Sequence, residues 1–513
     1  MKEKKWFIRQ GLLLSLLSII LAFVSFIKEA VFANFFGITS AADAYTIAIQ
    51  IPEIFFAVVW ESINAIIIPL YTQKYFKNGE KFASAFSLTF LFLILLGTLG
   101  FIFCGEFLSS YLIYAFSPGL NLATHNLAAS LLRWTLPILF FEAIIRVCVG
   151  IANVHKKFAI PKIINCIRNT IFIIFVILFS NKFGIYAAAY AILCGLFIEC
   201  IVAFFYTRKF EKFNNGINLR DDALKTSFKM AVPLLIGIGT NEVNQLFDKF
   251  IASFLNSGSI ASLSYASKLS SMFQTVFLAN IVTIMYPTYS MLAAENKKDE
   301  LNNKFVDSII ATLLIGIPII IGCIFLREEI ITIAFKRGNF DLHAVKIVSN
   351  IFAFYLIACL FTTLRVMCVK IFTSFCDTKT PMYNSIIGVV INIVLNLILT
   401  PFLGAVGLAA ASMISSIITC ILMFLSVKSM VIKIDYIKIF KYVYKILLSG
   451  LFMLLVLFVL RYYYLKLFIL NNSLKIVVYS LIVALVGCII YMINLTFMRV
   501  ISMKTIINHF AKE

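Results

Sequence analysis

The chain has 513 residues, of which 62% are hydrophobic and 13% are charged. A soluble protein of this length is about half apolar and about a quarter charged, so the composition excludes a water-soluble globular enzyme. Lys and Arg number 44 and Asp and Glu 24, which gives a formal net charge of +20. In a membrane protein this excess collects in the cytoplasmic loops, so it does not indicate a nucleic-acid partner.

Fourteen apolar runs are long enough to cross a bilayer, since a core of about 30 Å requires about 20 apolar residues in a helix. The runs are continuous, which favours helices over the short alternating segments of a membrane β-barrel. We therefore predict an all-α integral membrane protein with about 14 transmembrane helices. In chain order the predicted spans are 11–36, 43–71, 83–103, 127–152, 158–179, 184–206, 228–255, 263–290, 305–326, 344–374, 382–402, 405–427, 443–465 and 474–498.

Basic residues are distributed unequally between the two sides of this topology. One side carries most of them, including the segments 2–9, 208–225 and 428–441. The other side carries mainly Lys182, Arg327, Lys336, Arg337 and Lys466. Because cytoplasmic loops collect Lys and Arg, we predict that the basic side is cytoplasmic and that both termini lie there.

The chain resembles itself at a shift of about 220 residues, which indicates an internal repeat. The matching pairs are Tyr45 and Tyr265, Pro161 and Pro381, Gly184 and Gly404, and Cys200 and Cys420. An even number of spans in each copy keeps both copies in the same orientation. We therefore predict two parallel six-helix lobes, with a site between them near the membrane midplane.

The repeat also predicts the domain boundaries. The first six spans form one lobe, the next six form the second, and the last two spans fall outside the repeat. The predicted boundaries are 1–207 for the first lobe, 208–227 for a cytoplasmic linker, 228–428 for the second lobe, and 429–513 for the terminal helices and tail.

Charged side chains inside the first spans need a reason, because a charge at the bilayer centre costs about 2.5–3.5 kcal/mol. The candidates are Lys28, Glu29, Asp43, Glu53 and Glu61. Lys28 and Glu29 are adjacent and point about 100° apart on a helix. One of them is therefore expected to face a cavity, while the other pairs with a neighbour.

Four further charges in the first half have a simpler structural interpretation. Glu142 and Arg146 lie one turn apart, which fits a neutral ion pair within one helix, although a functional role for the pair stays open. Arg168 and Glu199 lie nearer the ends of their spans, where long side chains reach the membrane interface.

The second half carries Lys268 in the eighth span and Arg365 in the tenth. Lys28 and Lys268 belong to opposite halves, so both can face a cavity between the lobes. A cluster of cationic side chains in a dry cavity attracts an anion, for which phosphate or diphosphate is the natural candidate.

Signatures of catalysis are absent from the sequence. There is no G-x-x-x-x-G-K-[ST] stretch, and no nucleophile and base stand in a recognisable arrangement. The four histidines lie in or beside loops without metal-ligand spacing, and the 11 cysteines are scattered through apolar runs. The sequence therefore predicts a transporter rather than an enzyme.

Two other functions stay open. A cation-coupled multidrug exporter of the same architecture predicts an acid-lined cavity and an aromatic pocket, which the cavity lysines disfavour. A membrane glycan polymerase or ligase predicts a large extracytoplasmic loop with catalytic groups. The longest predicted outer loops, 104–126 and 327–343, carry no obvious catalytic set.

Seven stretches carry a family resemblance: Lys28–Gly37, Ala42–Tyr45, Ile51–Pro52, Asp248–Ser253, Tyr265–Leu269, Phe335–Phe340 and Asp377–Pro381. With them the sequence resembles the MurJ/MviN family, the lipid II flippases within the larger group of multidrug, oligosaccharidyl-lipid and polysaccharide exporters. The resemblance covers nearly the whole chain. It implies a two-lobed flippase of the bacterial plasma (inner) membrane that works by alternating access. Its partners would be a lipid-linked oligosaccharide on polyprenyl diphosphate and the membrane lipids.

The resemblance also implies roles for single residues. Lys28 and Lys268 stand where the family has cavity arginines, Glu29 where it has an acid, and Asp43 where it has an aspartate. The expected substrate-binding residues are therefore Lys28, Glu29, Asp43, Glu61, Lys268 and Arg365.

One departure from the family concerns the second helix. Phe56 and Ala57 replace the family's arginine pair there. The change weakens the case for lipid II itself and leaves room for another polyprenyl-diphosphate-linked glycan.

Some members of the family hold a sodium ion, and the resemblance implies candidate ligands for one here. The matching positions are Asp248, Asn392, Asn396, the backbone at Leu408, and Ser412. Asn392 and Asn396 are four residues apart and share one helix face, and their hard oxygens suit such an ion. The alternative is that these asparagines only form hydrogen bonds between helices. No other cofactor is expected.

Overall fold

The computed structural model describes residues 2–155, 157–211, 216, 218, 242, 244–375, 377–429, 436–467, 473–498 and 500. Regular structure in these ranges is helical throughout, and they contain no strand. The predicted all-α fold is confirmed.

The first half of the chain forms consecutive long helices joined by short turns. They are α1 (Lys2–Phe36), α2 (Ser40–Asn78), α3 (Glu80–Phe116), α4 (Leu122–Thr135), α5 (Ile138–Val154), α6 (Ile160–Phe183) and α7 (Tyr186–Thr207). Residues 244–252 are also helical.

The second half begins at a glycine turn and continues in the same way. Its helices are α8 (Ser259–Phe273), a π turn (Gln274–Leu278), α9 (Ala279–Ala294), α10 (Lys298–Phe325), α11 (Arg327–Phe335), α12 (Leu342–Ser374), α13 (Lys379–Leu403), α14 (Ala405–Ser429), α15 (Tyr436–Leu467) and α16 (Ser473–Phe497).

Within the described ranges, 12 helical segments are long and apolar enough to cross a membrane. In addition, α2 covers the predicted second span. The predicted seventh span, 228–255, lies mostly outside the described residues. The protein is therefore a multi-pass membrane protein, as the hydropathy of the sequence indicates.

Two predicted outer loops are wrong in part, because helices extend into them. The predicted loop 104–126 is helical up to Phe116, since α3 continues well past the end of the apolar run. The predicted loop 327–343 contains α11, whose first turn carries Glu328 and Glu329. Acidic side chains in the first turn stabilise a helix, because they interact favourably with the positive end of its dipole.

A proline divides the predicted fourth span into α4 and α5. Pro137 cannot donate a backbone hydrogen bond, so the regular ladder ends before it. The chain crosses this point through a tight turn, in which the amide of Leu139 donates to the carbonyl of Leu136 at 3.1 Å. The break sets the direction of α5, which carries Glu142 and Arg146.

The chain divides into two compact units. The first comprises Met1–Ser264 together with Arg337–Phe340, and the second comprises Tyr265–Lys336 and Asp341–Glu513. In the second unit α15 and α16 pack against α10, and the Tyr491 hydroxyl donates to the carbonyl of Leu314 at 3.0 Å. The predicted lobe boundaries at 208 and 228 fall mostly outside the described residues and stay a prediction.

Helix ends repeat at the shift seen in the sequence. α5 ends at Val154 and α12 at Ser374, and both α6 and α13 end at a glycine. Gly184 has φ 56° and ψ −137°, and Gly404 has φ 58° and ψ −137°. Positive φ at both turns explains why glycine stands at each, and the matching geometry supports the internal repeat.

Candidate functional site

A cavity of about 330 Å³ lies among the helices of the first unit. Its apolar wall includes Leu139, Phe172 and Leu196. Its charged lining has three cations and three acids: Lys28, Arg146, Arg168, Glu53, Glu142 and Glu242. Charges of both signs in an otherwise apolar helical unit mark this cavity as the candidate site.

Lys28 is placed on the cavity wall by α1. Its Nζ lies 3.6 Å from a carboxylate oxygen of Glu29 and 5.0 Å from the ring centre of Phe172. A cation over an aromatic face is stabilised by the ring quadrupole, and the ion pair with Glu29 offsets part of the charge. Of the two alternatives for the Lys28–Glu29 pair, the structure shows the one with the lysine at the cavity.

The carboxylate of Glu142 is shared by two arginines. Its Oε2 accepts from Nε of Arg146 at 3.0 Å, and its Oε1 accepts from Nη1 of Arg168 at 2.9 Å. The predicted pair between Glu142 and Arg146 is therefore present, but it belongs to a larger network. Arg168 extends the network to α7, where its Nε lies 3.4 Å from Oε2 of Glu199.

The expectation that Arg168 and Glu199 reach the membrane interface is wrong. Glu199 is 3% exposed, and Arg168 uses all three guanidinium nitrogens within the protein, the third one donating to Asn165 at 3.0 Å. Both side chains turn toward neighbouring helices because each neutralises the charge of the other there. Position along a span does not show on which face a partner lies.

The side chain of Asp43 makes a structural contact and does not line the cavity. The residue is 3% exposed, and its two carboxylate oxygens accept from the backbone amides of Gly258 at 2.5 Å and Ala261 at 2.7 Å. These amides belong to the start of α8, so Asp43 caps that helix. Gly258 has φ +88°, and a Cβ there would lie 2.2 Å from the carbonyl oxygen of Ile38.

Two further predicted substrate residues, Lys268 and Arg365, lie in the second unit. The surroundings of the Glu61 side chain lie outside the described part of the structure. Lys268 is an exposed residue of α8 in the second unit. Arg365 belongs to α12 of that unit, and its Nη1 donates to the Ser385 hydroxyl at 3.2 Å. The cavity of the first unit thus contains Lys28 from the predicted set and adds arginines that were predicted as structural.

Three of the predicted sodium ligands come together in the second unit. Asn396 donates to the side-chain oxygen of Asn392 at 2.9 Å, and Asn392 donates to the Ser412 hydroxyl at 3.4 Å. Leu408 is buried and belongs to α14, the helix that also carries Ser412. Asp248 belongs to the first unit. Neutral amide and hydroxyl oxygens fit a monovalent hard cation. Within the described ranges, no group of three or more His, Cys, Asp or Glu is arranged to hold a metal ion.

The sequence predicted Glu53, Glu142, Arg146 and Arg168 inside spans without assigning them to the site, and the predicted span 228–255 contains Glu242 as well. The missing information was that α1, α2, α5, α6 and α7 line one cavity. One signal was available: three consecutive spans carry two acids and two arginines, Glu142, Arg146, Arg168 and Glu199, and such a balance favours mutual pairing.

Membrane-spanning helices that enclose a charged cavity define a multi-pass membrane transport protein. A family model described as lipid II flippase MurJ matches residues 32–479. The chain therefore belongs to the lipid II flippase MurJ family, which confirms the resemblance found in the sequence.

Relatives and solved structures agree with this assignment. The probable lipid II flippase MurJ of Aquifex aeolicus is 26% identical over 387 residues, which are 75% of each chain. That of Vibrio cholerae is 25% identical over 441 residues, or 82% of each. A solved lipid II flippase MurJ in an inward closed conformation matches with a TM-score of 0.80 and 26% identity, over 95% of this chain and 98% of that one.

A more distant match shows the fold alone. An inward-facing multidrug resistance MATE family transporter has a TM-score of 0.62 at 14% identity, over 80% of this chain and 93% of that one. The helical architecture is therefore shared beyond the flippases.

Proposed function

We propose that this protein is a flippase. It translocates a polyprenyl-diphosphate-linked cell-wall precursor, lipid II or a related lipid-linked oligosaccharide, from the inner to the outer leaflet of the bacterial plasma membrane. The observation that carries the proposal is the cavity with Lys28, Arg146 and Arg168, in a chain whose family and curated relatives are described as lipid II flippases.

The cavity offers groups for both parts of such a headgroup. Ammonium and guanidinium groups bind phosphate oxygens through charge-assisted hydrogen bonds. The carboxylates of Glu53 and Glu242, which also line the cavity, are acceptors for sugar hydroxyl groups. The apolar tail of the precursor stays in the surrounding lipid, where it costs no transfer of hydrocarbon into water.

Alternating access requires a second set of contacts that forms when the protein changes conformation. Lys268 and Arg365, the predicted substrate residues of the second unit, are proposed to supply it.

We also propose that both termini lie on the cytoplasmic side of the membrane. Membrane potential then drives the return step, since each elementary charge that crosses the field contributes about 2.3 kcal/mol per 100 mV.

A sodium ion is proposed as a second contributor. Asn392, Asn396 and Ser412 would hold it with the backbone at Leu408 and with Asp248. The hydrogen bonds among the first three support a common polar site, and the ion would supply a charge that biases one conformation.

A cation-coupled multidrug exporter is the weaker alternative. The MATE transporter that supports it shares the fold at 14% identity, whereas the flippase family matches residues 32–479. Because three cations balance three acids on the cavity wall, the wall has no net negative charge to attract a cationic drug.

Reconstitution tests the proposal. The purified full chain is placed in liposomes with fluorescent lipid II in one preparation and a fluorescent polyprenyl-diphosphate disaccharide without peptide in another. We expect movement of at least one headgroup between leaflets above the rate in empty liposomes. If both headgroups move, the protein accepts a related glycan as a substrate in addition to lipid II. Movement of neither, with a cationic dye exported instead, would overturn the flippase in favour of the exporter.

A further inference from the structure

The two arginines of the cavity differ in how many of their donors the protein uses. All three nitrogens of Arg168 face partners, in Glu142, Glu199 and Asn165. Arg146 is held through Nε alone, which donates to Glu142 at 3.0 Å. Its two terminal nitrogens have no protein partner among the residues that the structure describes, and 37% of its side chain is exposed.

An arginine held in this way has a guanidinium group that is already oriented to bind an anion. The bond at Nε fixes the plane of the guanidinium, and the two terminal amino groups form a fork that matches two phosphate oxygens. Arg146 lines the cavity together with Ala57, whose side chain is a single methyl group and leaves room there. Lys28 adds a point charge to the same wall.

The internal repeat shows that the fold does not require these charges. At a shift of 220 residues, Glu142, Arg146, Arg168 and Glu199 correspond to Thr362, Val366, Gly388 and Thr419. The four matching positions hold no arginine or carboxylate, although Arg365 of α12 donates to the Ser385 hydroxyl of α13 at 3.2 Å, and a Cβ on Gly388 would lie 2.5 Å from a methyl carbon of Thr419. The charged network is therefore an addition specific to the first unit.

We propose that Arg146 is the guanidinium that receives the diphosphate of the substrate in this cavity, and that Glu142, Arg168 and Glu199 are positioning residues that hold it. This inference rests on the proposed flippase function. Two arginines and two carboxylates make the network neutral, so its affinity for an anion comes from directed N–H groups and from Lys28. A diphosphate, which offers oxygens to both the fork and the lysine, is preferred over a monophosphate.

Binding measurements on the purified full chain test the assignment. The probes are an undecaprenyl-diphosphate disaccharide and the corresponding undecaprenyl-monophosphate sugar. Arg146→Gln is expected to weaken binding of the diphosphate lipid by about tenfold, and binding of the monophosphate lipid by much less. Arg146→Lys restores charge without the fork and recovers only part of the loss. Arg133→Gln is the matched control, because Arg133 lies on α4 and does not line the cavity.

The ratio of the two affinities separates the role from a folding defect, since a misfolded protein loses both probes equally. A reduced ratio in Arg146→Gln, with Arg133→Gln unchanged, supports the assignment. An unchanged ratio in Arg146→Gln overturns it, whatever the absolute affinity. If Lys28→Ala loses binding while Arg146→Gln keeps it, only the present inference fails. If the unaltered protein binds neither lipid, the proposed function itself fails.

Discussion

Arg168 and Glu142 form an ion pair of 2.9 Å that joins α6 to α5 at the wall of the cavity. Because Glu142 also accepts from Arg146, the pair fixes a neighbouring cation as well as two helices. Its loss would leave carboxylates in a buried place with too little positive charge. Such uncompensated charges are among the most destabilising changes in proteins.

Arg168→Met is therefore expected to lower the free energy of unfolding by about 3–5 kcal/mol. The double change Arg168→Met and Glu199→Gln should recover most of that loss, because it keeps the neutral pair of Glu142 and Arg146 and leaves no lone charge. Thermal unfolding of the purified protein in detergent measures both. A double variant as unstable as Arg168→Met would show that packing, rather than charge compensation, sets the cost.

Asp43→Ala is expected to destabilise the start of α8, since it removes the acceptor of two backbone amides. Hydrogen bonds to a charged group contribute about 1.5–3 kcal/mol each, and Asp43→Asn should keep part of that contribution. Amide hydrogen exchange at Gly258 and Ala261 measures the loss locally. Unchanged protection at these two amides in Asp43→Ala would contradict the capping role.

Glu211 gives the protein a local dependence on pH outside the membrane-spanning helices. The residue is 0% exposed, and this burial raises the pKa of its carboxyl group, while the hydrogen bond from the Tyr71 hydroxyl opposes the shift by less. The folded state therefore binds the proton more tightly than the unfolded state does. Stability contributed by this group is greatest below the unfolded pKa and is lost as pH rises through the folded pKa.

The segment that ends at Glu211 should accordingly be more protected at about pH 5 than at about pH 8. Protection factors for the amides of Phe210 and Glu211, both bonded to the carbonyl of Thr207, measure this after correction for intrinsic exchange. Glu211→Gln should be protected equally at both values. A variant with the same pH dependence as the unaltered chain would assign the effect to another group.

The sequence predicted the helices and the repeat well, because both depend on local or periodic signals. Apolar runs of bilayer length mark the spans, and Gly184 and Gly404 mark equivalent turns 220 residues apart. Helix ends were predicted less well. α3 continues to Phe116, and Pro137 divides one predicted span into two helices, since neither helix length nor a break changes mean hydropathy.

The site was predicted only in part, because its contacts join distant positions. Lys28 was found from its charge alone, since an intramembrane lysine is rare whatever surrounds it. The partners of Asp43 lie more than 200 residues further along the chain, at Gly258 and Ala261, and they are backbone amides without a sequence signature. The role of Arg146 depends on which of its nitrogens has a partner, and that follows from the folded structure rather than from the sequence.

We propose that a cation on the wall of the first unit receives the anionic headgroup and that a cation of the second unit takes part in translocation. The most direct measurement compares Lys28→Ala and Lys268→Ala with Lys182→Ala, a lysine that does not line the cavity, in cells that depend on this protein. The readout is the amount of lipid-linked precursor accessible on the outer leaflet. We expect Lys28→Ala and Lys268→Ala to lose translocation while Lys182→Ala retains it. Full retention by Lys28→Ala and Lys268→Ala would contradict this proposal.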